Sequence, residues 1–571
     1  MRYGSDLVVD HLARLGIDLV TINPGASIRG LHDSLVRSPS PAMVLVLHEE
    51  IAVGMAHGYA KATGRPAAVM VHDLVGLQHA SMALFNAWVD AVPMLVVGGS
   101  GPRDAALRRP WIDWVHTGLP QGALVRDFVK WDDEPGSLAA VGDSLTRGLE
   151  IATRGPRGPV YISLDVEIQE QEAGDVVLPA PPRVEPTTLS APASTTQQVA
   201  EALAAARRPV VVVDNPHRGL AAALLELARR VDLAVVDLGG GANVPTEHRV
   251  NHTHRRREVM AEADLVLALD VRDLVWSISV TDERTRQVRR LCGEDCPVIS
   301  VALADLAMHG WVAARSYLPH ARNVVADPVQ LVRDVTALLG EGDGPARPDD
   351  DGAPTAAALA RAAAWDEARQ HGARDWIHPA HLAASLWRAI EDGPWQLANG
   401  RLQDWVPRLW RFDSDEQFLG LSGGQGLGYG MPASLGAAYA ARGSDTLVVN
   451  IQGDGDLMYT PQSLWTAARY SLPLLTVVNN NRSYGKDELH QREVAHTRGR
   501  STDLVGVGIE LDDPDISYVR LAEAQGVEAL GPVSDPDELL PTLRTAARLV
   551  REERRPVLVD VLCPWAPGRR A

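Results

Sequence analysis

The chain of 571 residues is short of lysine and cysteine, and it has no long hydrophobic run. Its only lysines are Lys61, Lys130 and Lys486, which leaves few candidates for a Schiff base with a carbonyl substrate. Three cysteines cannot build a disulfide framework in a chain of this length, so we expect a reducing, cytoplasmic location. No stretch approaches the ~18 uninterrupted apolar residues of a membrane span, so no membrane partner is expected.

Positive charge is also in deficit. The chain carries 55 Lys and Arg against 73 Asp and Glu, a formal net charge of −18. This balance argues against a nucleic acid as the partner and leaves a small-molecule substrate as the expectation. With 46% hydrophobic and 22% charged residues, the composition is ordinary for a globular chain, and the length predicts several domains.

Two polar stretches rich in Pro, Gly and Ala, 171–196 and 340–355, predict linkers between three blocks. We therefore predict domains at residues 1–180, 195–340 and 360–571. In each block short apolar runs alternate with helical patterns, which is typical of doubly wound parallel α/β sheets. The predicted buried strands are 19–22, 43–47, 67–71, 94–97, 160–164, 209–213, 233–236, 265–269, 298–301, 396–398, 446–451, 474–478 and 557–561.

The most informative segment runs from residue 446 to residue 485. One predicted strand ends in Gly453-Asp454-Gly455-Asp456, and after a predicted helix the next strand ends in Asn479-Asn480-Asn481. A right-handed βαβ unit would bring Asp454 and Asn481 to one sheet edge, where open α/β sheets bind ligands. A carboxylate, an amide oxygen and a backbone carbonyl suit Mg²⁺, and the glycines let the backbone approach an anion. The segment therefore predicts a site for a Mg²⁺–diphosphate complex.

The same segment resembles the thiamin diphosphate motif of the acetolactate synthase, pyruvate oxidase and benzoylformate decarboxylase family. The likeness extends to residues 422–432 and 464–468. It implies pyrimidine-binding, central and diphosphate-binding domains, with Mg²⁺ held by the side chains of Asp454 and Asn481 and by the carbonyl of Ser483. The cofactor contacts implied here, besides Asp454 and Asn481, are Asn399, Gly400, Arg401, Gly424, Leu427, Gly453, Gly455, Asp456, Tyr484 and Gly485, of which Arg401 and Asp456 depart from the usual residue types.

A candidate catalytic carboxylate lies in the first block, where His48-Glu49-Glu50 follows a predicted strand and begins a predicted helix. On its own, a carboxylate there could simply be stabilised by the helix dipole. Residues 48–60, however, are similar to the family's pyrimidine-binding segment, which implies that Glu49 activates the cofactor. Asn23, Pro24 and Gly25 resemble the loop near the same ring. The resemblance also implies a cofactor that spans two subunits, hence a homodimer at minimum and a homotetramer as the expected assembly.

The family decarboxylates 2-oxo acids, ligates the acyl unit to a second carbonyl, or oxidises it. His72 coincides with a histidine of benzoylformate decarboxylase, so it is either catalytic or a hydrogen-bonded structural residue. The companion histidine of that decarboxylase falls at Trp276, so its apparatus is only partly present. We therefore expect an acetolactate synthase-like carboligase that uses a 2-oxo acid and an aldehyde or ketone acceptor. A simple 2-oxo acid decarboxylase is the alternative, followed by a flavin-dependent oxidase or a catalytically silent cofactor-binding partner.

Two further segments bear on specificity and on other cofactors. Gly239-Gly240-Gly241 lacks the GxGxxG spacing, so bound FAD is not expected in the central domain. Trp111, Trp114 and His116 fall in one predicted loop and are candidates for substrate specificity, because loops on rigid scaffolds commonly carry function.

Overall fold

Three separate parallel sheets organise the chain in the computed structural model, which agrees with the predicted three-domain α/β fold. The structure describes residues 1–182, 188–215, 217–239, 243–282, 285–303, 318–340, 354–372 and 374–564. Gly240, Gly241 and parts of both predicted linkers lie outside these ranges, and the proposed domain boundaries stay predictions. Within the described ranges, no helix is long and apolar enough to span a bilayer.

The first sheet has six strands in the order β2-β1-β3-β4-β6-β5, and all its pairs are parallel. Every predicted strand of this block is present. The short edge strand β5 was not predicted, because its two residues are aspartates and form no apolar run. The strands are β1 (Leu19–Ile22), β2 (Ala42–Leu45), β3 (Ala67–Val71), β4 (Met94–Ser100), β5 (Asp132–Asp133) and β6 (Pro159–Asp165), and the helices are α1 (Gly4–Arg14), α2 (Arg29–Arg37), α3 (Glu49–Thr63), α4 (Asp73–Val89), α5 (Ile112–Val115), α6 (Leu138–Thr153) and α7 (Val166–Glu170).

The second sheet has five parallel strands in the order β13-β12-β9-β7-β8, and an antiparallel hairpin, β10–β11, lies beside it. Strand β13 was not predicted because it is a largely exposed edge strand. The strands are β7 (Pro209–Val213), β8 (Ala234–Asp237), β9 (Leu265–Leu269), β10 (Ser279–Thr281), β11 (Val288–Arg290), β12 (Val298–Ala302) and β13 (Arg322–Val325), and the helices are α8 (Ala193–Ala205), α9 (Leu220–Leu227), α10 (Arg256–Glu262), α11 (Leu274–Ser277) and α12 (Pro328–Leu339).

The third sheet has five parallel strands in the order β14-β15-β16-β18-β17. Its half-exposed edge strand β17 was again missed by the search for apolar runs. The strands are β14 (Trp395–Asn399), β15 (Leu447–Gly453), β16 (Leu474–Asn480), β17 (Glu528–Val533) and β18 (Val557–Leu562), and the helices are α13 (Ala356–Gly372), α14 (Pro379–Ile390), α15 (Trp405–Leu409), α16 (Gly430–Ala440), α17 (Asp454–Leu457), α18 (Ser463–Arg469), α19 (Gly485–Thr497), α20 (Tyr518–Glu523) and α21 (Pro536–Glu553).

Helices α3 and α16 join the first and third sheet units through glycines. A Cβ atom on Gly58 would lie 1.9 Å from the carbonyl oxygen of Ala433, and one on Gly54 would lie 2.6 Å from Pro432 Cβ. Only glycine therefore permits this close approach of the two backbones. Because residues 422–429 lead directly into α16, the packing holds that loop beside the N-terminal end of α3.

Candidate active site

Two oxygen-bearing side chains meet just beyond the ends of β15 and β16. These strands are parallel neighbours, with Gly453 paired to Asn479. The backbone N–H of Ser483 donates to Asp454 Oδ2 at 3.2 Å and to Asn481 Oδ1 at 3.0 Å. The chain thus brings together the carboxylate and the amide oxygen that the sequence selected as Mg²⁺ ligands, although their role as ligands stays a prediction.

The chemistry of this corner fits a hard cation. Asp454 is almost fully buried, and its burial raises the pKa of the carboxyl to about 6 even though backbone N–H groups oppose the shift. A divalent cation would compensate a buried negative charge of this kind. Asn479 Oδ1 and Ser483 Oγ are also buried, and among the described residues neither has a hydrogen-bond partner. The buried carboxylate of Asp454 and the amide oxygen of Asn481 are oxygen ligands of the kind that Mg²⁺ prefers.

Asp456 braces the segment 422–428 against the Gly453–Gly455 turn. Its Oδ1 accepts a hydrogen bond from the backbone N–H of Gly428 at 2.6 Å, and its Oδ2 accepts one from Gln452 Nε2 at 2.5 Å. Both carboxylate oxygens are therefore engaged by the protein. The preceding residue, Leu427, is 41% exposed, and its contact with the cofactor stays a prediction.

The other cofactor candidates of the third unit have varied surroundings. Asn399 Nδ2 donates to Asn450 Oδ1 at 3.1 Å and to the carbonyl of Ile451 at 3.0 Å, next to Gly400 with its φ of 104°. Arg401 pairs with Asp404 at 2.7 Å and also contacts the carbonyl of Leu238, in the second unit.

Three predicted glycines are placed by close packing or at a helix start. A Cβ on Gly424 would lie 2.5 Å from Asn86 Oδ1, and one on Gly455 would lie 2.5 Å from the ring of Tyr484. Gly485 is the first residue of α19. The tight contacts explain the need for glycine at 424 and 455, and a contact of these residues with the cofactor stays a prediction.

Glu49 is the first residue of α3 and is held against α4. Its side chain is 8% exposed, and its Oε2 lies 3.2 Å from His79 Nδ1. A Cβ on Gly76 would come within 3.1 Å of the other carboxylate oxygen, so glycine leaves room there. The ring of His79 stacks on that of His48, which caps α3 by accepting the N–H of Glu50. Sequence reasoning missed His79, because a lone histidine within a helix carries no sequence signal of this contact.

Glu50 has different neighbours from Glu49. A Cβ on Gly428 would lie 2.7 Å from Glu50 Oε1, so this side chain points towards the Leu427–Gly428 segment. Burial, together with the nearby charge of Asp456, raises the pKa of Glu50 to about 7. The two adjacent glutamates therefore have different surroundings, Glu49 beside His79 and Glu50 beside Gly428.

His72 lies at the start of α4, on top of the loop that follows β1. A Cβ on Gly25 would lie 2.3 Å from His72 Cβ, so the ring packs directly on the backbone of this loop. Asn23 is half-buried and Pro24 is exposed in the same loop. His72 Nδ1 lies 3.2 Å from the backbone nitrogen of Ser27 and 2.8 Å from Ser27 Oγ.

The opposite edge of the His72 ring faces two groups that sequence reasoning did not connect with it. His116 Nδ1 lies 3.4 Å from His72 Nε2, and Asp73 Oδ2 lies 3.4 Å from the same atom. Burial raises the pKa of Asp73 to about 6, whereas burial and the neighbouring His116 lower the pKa of His72. Trp276, by contrast, lies on α11 of the second unit, half exposed and stacked against Arg256.

The third sheet unit thus presents a buried carboxylate with an amide oxygen beside it, and the first presents a buried carboxylate with histidines. Comparison with known sequences matches both units. Residues 2–123 match the N-terminal TPP binding domain of thiamine pyrophosphate enzymes, and residues 398–561 match their C-terminal TPP binding domain. The chain belongs to the thiamin diphosphate-dependent enzyme family, and it is an enzyme whose cofactor is thiamin diphosphate.

Relatives with different reactions cover most of the chain. It is 27% identical to acetolactate synthase isozyme 3 large subunit of Escherichia coli K12, over 98% of this chain and 95% of the relative. It is 28% identical to benzoylformate decarboxylase of Pseudomonas aeruginosa, over 91% of each chain. The solved thiamine diphosphate-dependent 4-hydroxybenzoylformate decarboxylase of Rhodococcus jostii RHA1 superposes with a TM-score of 0.77 at 21% identity, covering 99% of this chain and 100% of that one. That last likeness concerns the fold alone.

Proposed function

We propose that this enzyme splits a 2-oxo acid into carbon dioxide and an aldehyde. The observation that carries the proposal is the meeting of His72 with His116 and Asp73, at the end of α4 that also faces Glu49. Decarboxylation replaces a C–C bond by a C–H bond and therefore needs a proton donor at the reacting carbon. A pair of imidazoles beside a buried carboxylate can supply one.

The third sheet unit would hold the cofactor. Asp454, Asn481 and the carbonyl of Ser483 would bind Mg²⁺, and the metal would bind the diphosphate. Leu427, an exposed apolar side chain beside Gly428, would press against the cofactor and fix its conformation. When bound, thiamin diphosphate supplies the nucleophilic carbon and the electron sink for loss of carbon dioxide.

The first sheet unit would activate the cofactor and handle protons. Glu49 would hydrogen-bond a ring nitrogen of the cofactor through a carboxylate that His79 and the start of α3 hold in place. The loop Asn23–Gly25 would lie against the same ring, since it packs on His72. The low exposure of Glu49 would keep competing water away from its hydrogen bond to the ring nitrogen.

Carboligation is the second candidate, because the acetolactate synthase of Escherichia coli aligns over nearly the whole chain. In that reaction the acyl unit would join an aldehyde or ketone acceptor instead of receiving a proton. Tryptophan at position 276, where benzoylformate decarboxylase has its second histidine, favours carboligation. His116, in the loop after β4, instead brings a second imidazole beside His72.

Carbon balance tests the two candidates. The holoenzyme is incubated with pyruvate, branched 2-oxo acids and benzoylformate, with and without benzaldehyde, and the products are quantified by mass spectrometry. One aldehyde per carbon dioxide supports the decarboxylase, and a ligated product in the same ratio supports the carboligase. Release of no carbon dioxide from any of these acids would overturn both.

We also propose that the active unit contains at least two chains. Large apolar side chains are exposed outside the described cores, among them Trp111 at 78%, Leu504 at 74% and Val507 at 74%. Contact with a second chain would cover apolar side chains as exposed as these. Mass photometry of the purified enzyme should show dimers or tetramers, and full activity in a monomer would contradict the proposal.

A further inference from the structure

The loop 421–429, which carries Leu427 and leads into α16, is held by the C-terminal half of α4. Asn86 Oδ1 accepts the backbone N–H of Gly426 at 3.1 Å, and Asn86 Nδ2 donates to the carbonyl of the same glycine at 3.3 Å. Asn86 is buried, so both hydrogen bonds lie in a medium of low dielectric constant, which strengthens them. One amide side chain thus holds both backbone groups of Gly426, the residue directly before Leu427.

Asp90, which directly follows α4, holds the start of the same loop. Its Oδ1 accepts the backbone N–H of Gly423 at 2.6 Å, and its Oδ2 lies 2.6 Å from Lys61 Nζ. Lys61 donates in turn to the carbonyl of Leu421 and to the hydroxyl of Tyr429, both at 3.1 Å. The first and last residues of the loop are therefore bound to one ammonium group.

Arg272, in the second sheet unit, packs on the same carboxylate. Its guanidinium lies 3.6 Å from Asp90 Oδ1 and 3.1 Å from Asp214 Oδ2. A Cβ atom on Gly423 would lie 1.6 Å from Arg272 Nη1, so the guanidinium rests directly on the loop backbone. Burial would raise the pKa of the Asp90 carboxyl, but the positive charge of Lys61 outweighs burial and lowers that pKa. Asp90 is therefore ionised and accepts the N–H of Gly423 as a carboxylate.

Leu427 lies between two residues whose backbone is held in place. On one side Gly426 is bound by Asn86, and on the other the N–H of Gly428 is accepted by Asp456 Oδ1 at 2.6 Å. Fixing both neighbours restricts the direction in which the exposed side chain of Leu427 points.

We propose that Asn86 and Asp90 are positioning residues, which hold loop 421–429 so that Leu427 meets thiamin diphosphate in a fixed orientation. The inference rests on the contact between Leu427 and the cofactor proposed above. Both residues act on the loop backbone, and neither has to touch the cofactor. Loss of either one should therefore weaken cofactor binding through Leu427, while the proposed Mg²⁺ ligands, which lie on other segments, keep their places.

Asn86→Leu tests this role, because leucine has nearly the shape of asparagine and forms neither hydrogen bond. In the protein without cofactor, hydrogen–deuterium exchange of the loop 421–429 should become about 10-fold faster, as expected for the loss of two buried hydrogen bonds, while the second sheet exchanges as in wild type. Calorimetric titration with thiamin diphosphate and Mg²⁺ should show binding weakened by about 10-fold or more. Ser144→Ala is the matched control: it removes the hydrogen bond of a buried serine to Asp133 in the same sheet unit and should bind the cofactor as wild type.

A double-mutant cycle tests whether Asn86 acts through Leu427. Leu427→Ala should weaken thiamin diphosphate binding by about 10-fold or more, and Asn86→Leu combined with Leu427→Ala should lose no more than about threefold beyond the weaker-binding single variant. Independent effects would instead multiply to about 100-fold. Gly423→Ala keeps the test valid if Asn86→Leu does not fold. Its methyl group would displace the loop from Arg272 and Asp90 without any change in α4, so binding should again weaken by about 10-fold.

The inference is overturned by wild-type cofactor affinity in Asn86→Leu and Gly423→Ala, or by losses that multiply in the double variant. Weaker binding without faster exchange of the loop, or an equal loss in Ser144→Ala, also overturns it, because the effect would then not come from the loop. If Leu427→Ala binds as wild type, the proposed contact of Leu427 with the cofactor falls together with the inference. None of these measurements uses a 2-oxo acid, so their results do not depend on which reaction the enzyme catalyses.

Discussion

Replacing Glu49 by glutamine keeps the size of the side chain and removes its charge. In the structure this carboxylate is buried, begins α3 and contacts His79, so an amide of the same shape fits the space. If Glu49 activates the cofactor, the variant should bind thiamin diphosphate and lose most of its turnover. The loss of catalytic rate should exceed the loss of folding stability.

The effect on folding should be modest. Loss of the charge at the helix N-terminus costs about 0.3–1 kcal/mol, and loss of the charge-assisted contact with His79 adds about 1 kcal/mol because that histidine is 59% exposed. The effect on catalysis should be larger: positioned acid–base groups contribute about 10²–10⁴-fold, which is about 3–5 kcal/mol. A fold stabilised by about 5–15 kcal/mol survives the first loss.

The assay measures three quantities for wild type, Glu49→Gln and the control Glu50→Gln: carbon dioxide release, thiamin diphosphate affinity and Tm. Glu50 is the neighbouring carboxylate, and at neutral pH its raised pKa leaves it partly protonated, so an amide there is a mild change. We expect Glu50→Gln to lose less than about threefold in rate. If Glu49→Gln keeps wild-type turnover, or loses activity only in proportion to folded protein, the reasoning is refuted.

Two further predictions concern stability. Because the pKa of Glu50 is raised to about 7, the folded chain keeps a proton that the unfolded chain loses above about pH 4.3. The protonated carboxyl of Glu50 therefore contributes fully to stability below about pH 4.3, and this contribution is lost as the pH rises through about 7. Differential scanning calorimetry should show Tm falling across this window, and falling less in Glu50→Gln. Asp90→Asn should lower the free energy of unfolding by about 3–5 kcal/mol, because Lys61 loses the buried carboxylate that lies 2.6 Å from it. The variant also weakens the hydrogen bond that Asp90 accepts from the N–H of Gly423. An unchanged Tm would show that the fold does not depend on these contacts.

The central strands of all three sheets were predictable because each is a run of mainly apolar residues, and most of these runs are flanked by Gly or Pro. Strands β13 and β17 were not, because an exposed edge strand carries no such run. The parallel pairing of β15 and β16 was predictable as well, since the two strands of a βαβ unit run in the same direction and end at the same edge of the sheet. That is why Asp454 and Asn481 could be paired from sequence alone.

The surroundings of His72 could not be predicted in the same way. Ser27, Asp73 and His116 come from three separate segments, and His116 belongs to a loop whose path no periodicity describes. The partnership of Glu49 with His79 depends on the packing of α3 on α4, and a lone histidine in a helix gives no sign of it. Sequence patterns therefore selected candidate cofactor contacts, while the neighbours of His72 and Glu49 could be found only from three-dimensional contacts.

The most direct test of the account is calorimetric titration of thiamin diphosphate into the protein with Mg²⁺, with EDTA, and into Asp454→Asn with Mg²⁺. Asp445→Asn, an exposed carboxylate just before β15, is the matched control. We predict that EDTA and Asp454→Asn each weaken binding by at least about 100-fold, or about 2.7 kcal/mol, while the control binds as wild type. Equal affinity in all four titrations would contradict the claim that Asp454 holds the metal that anchors the cofactor.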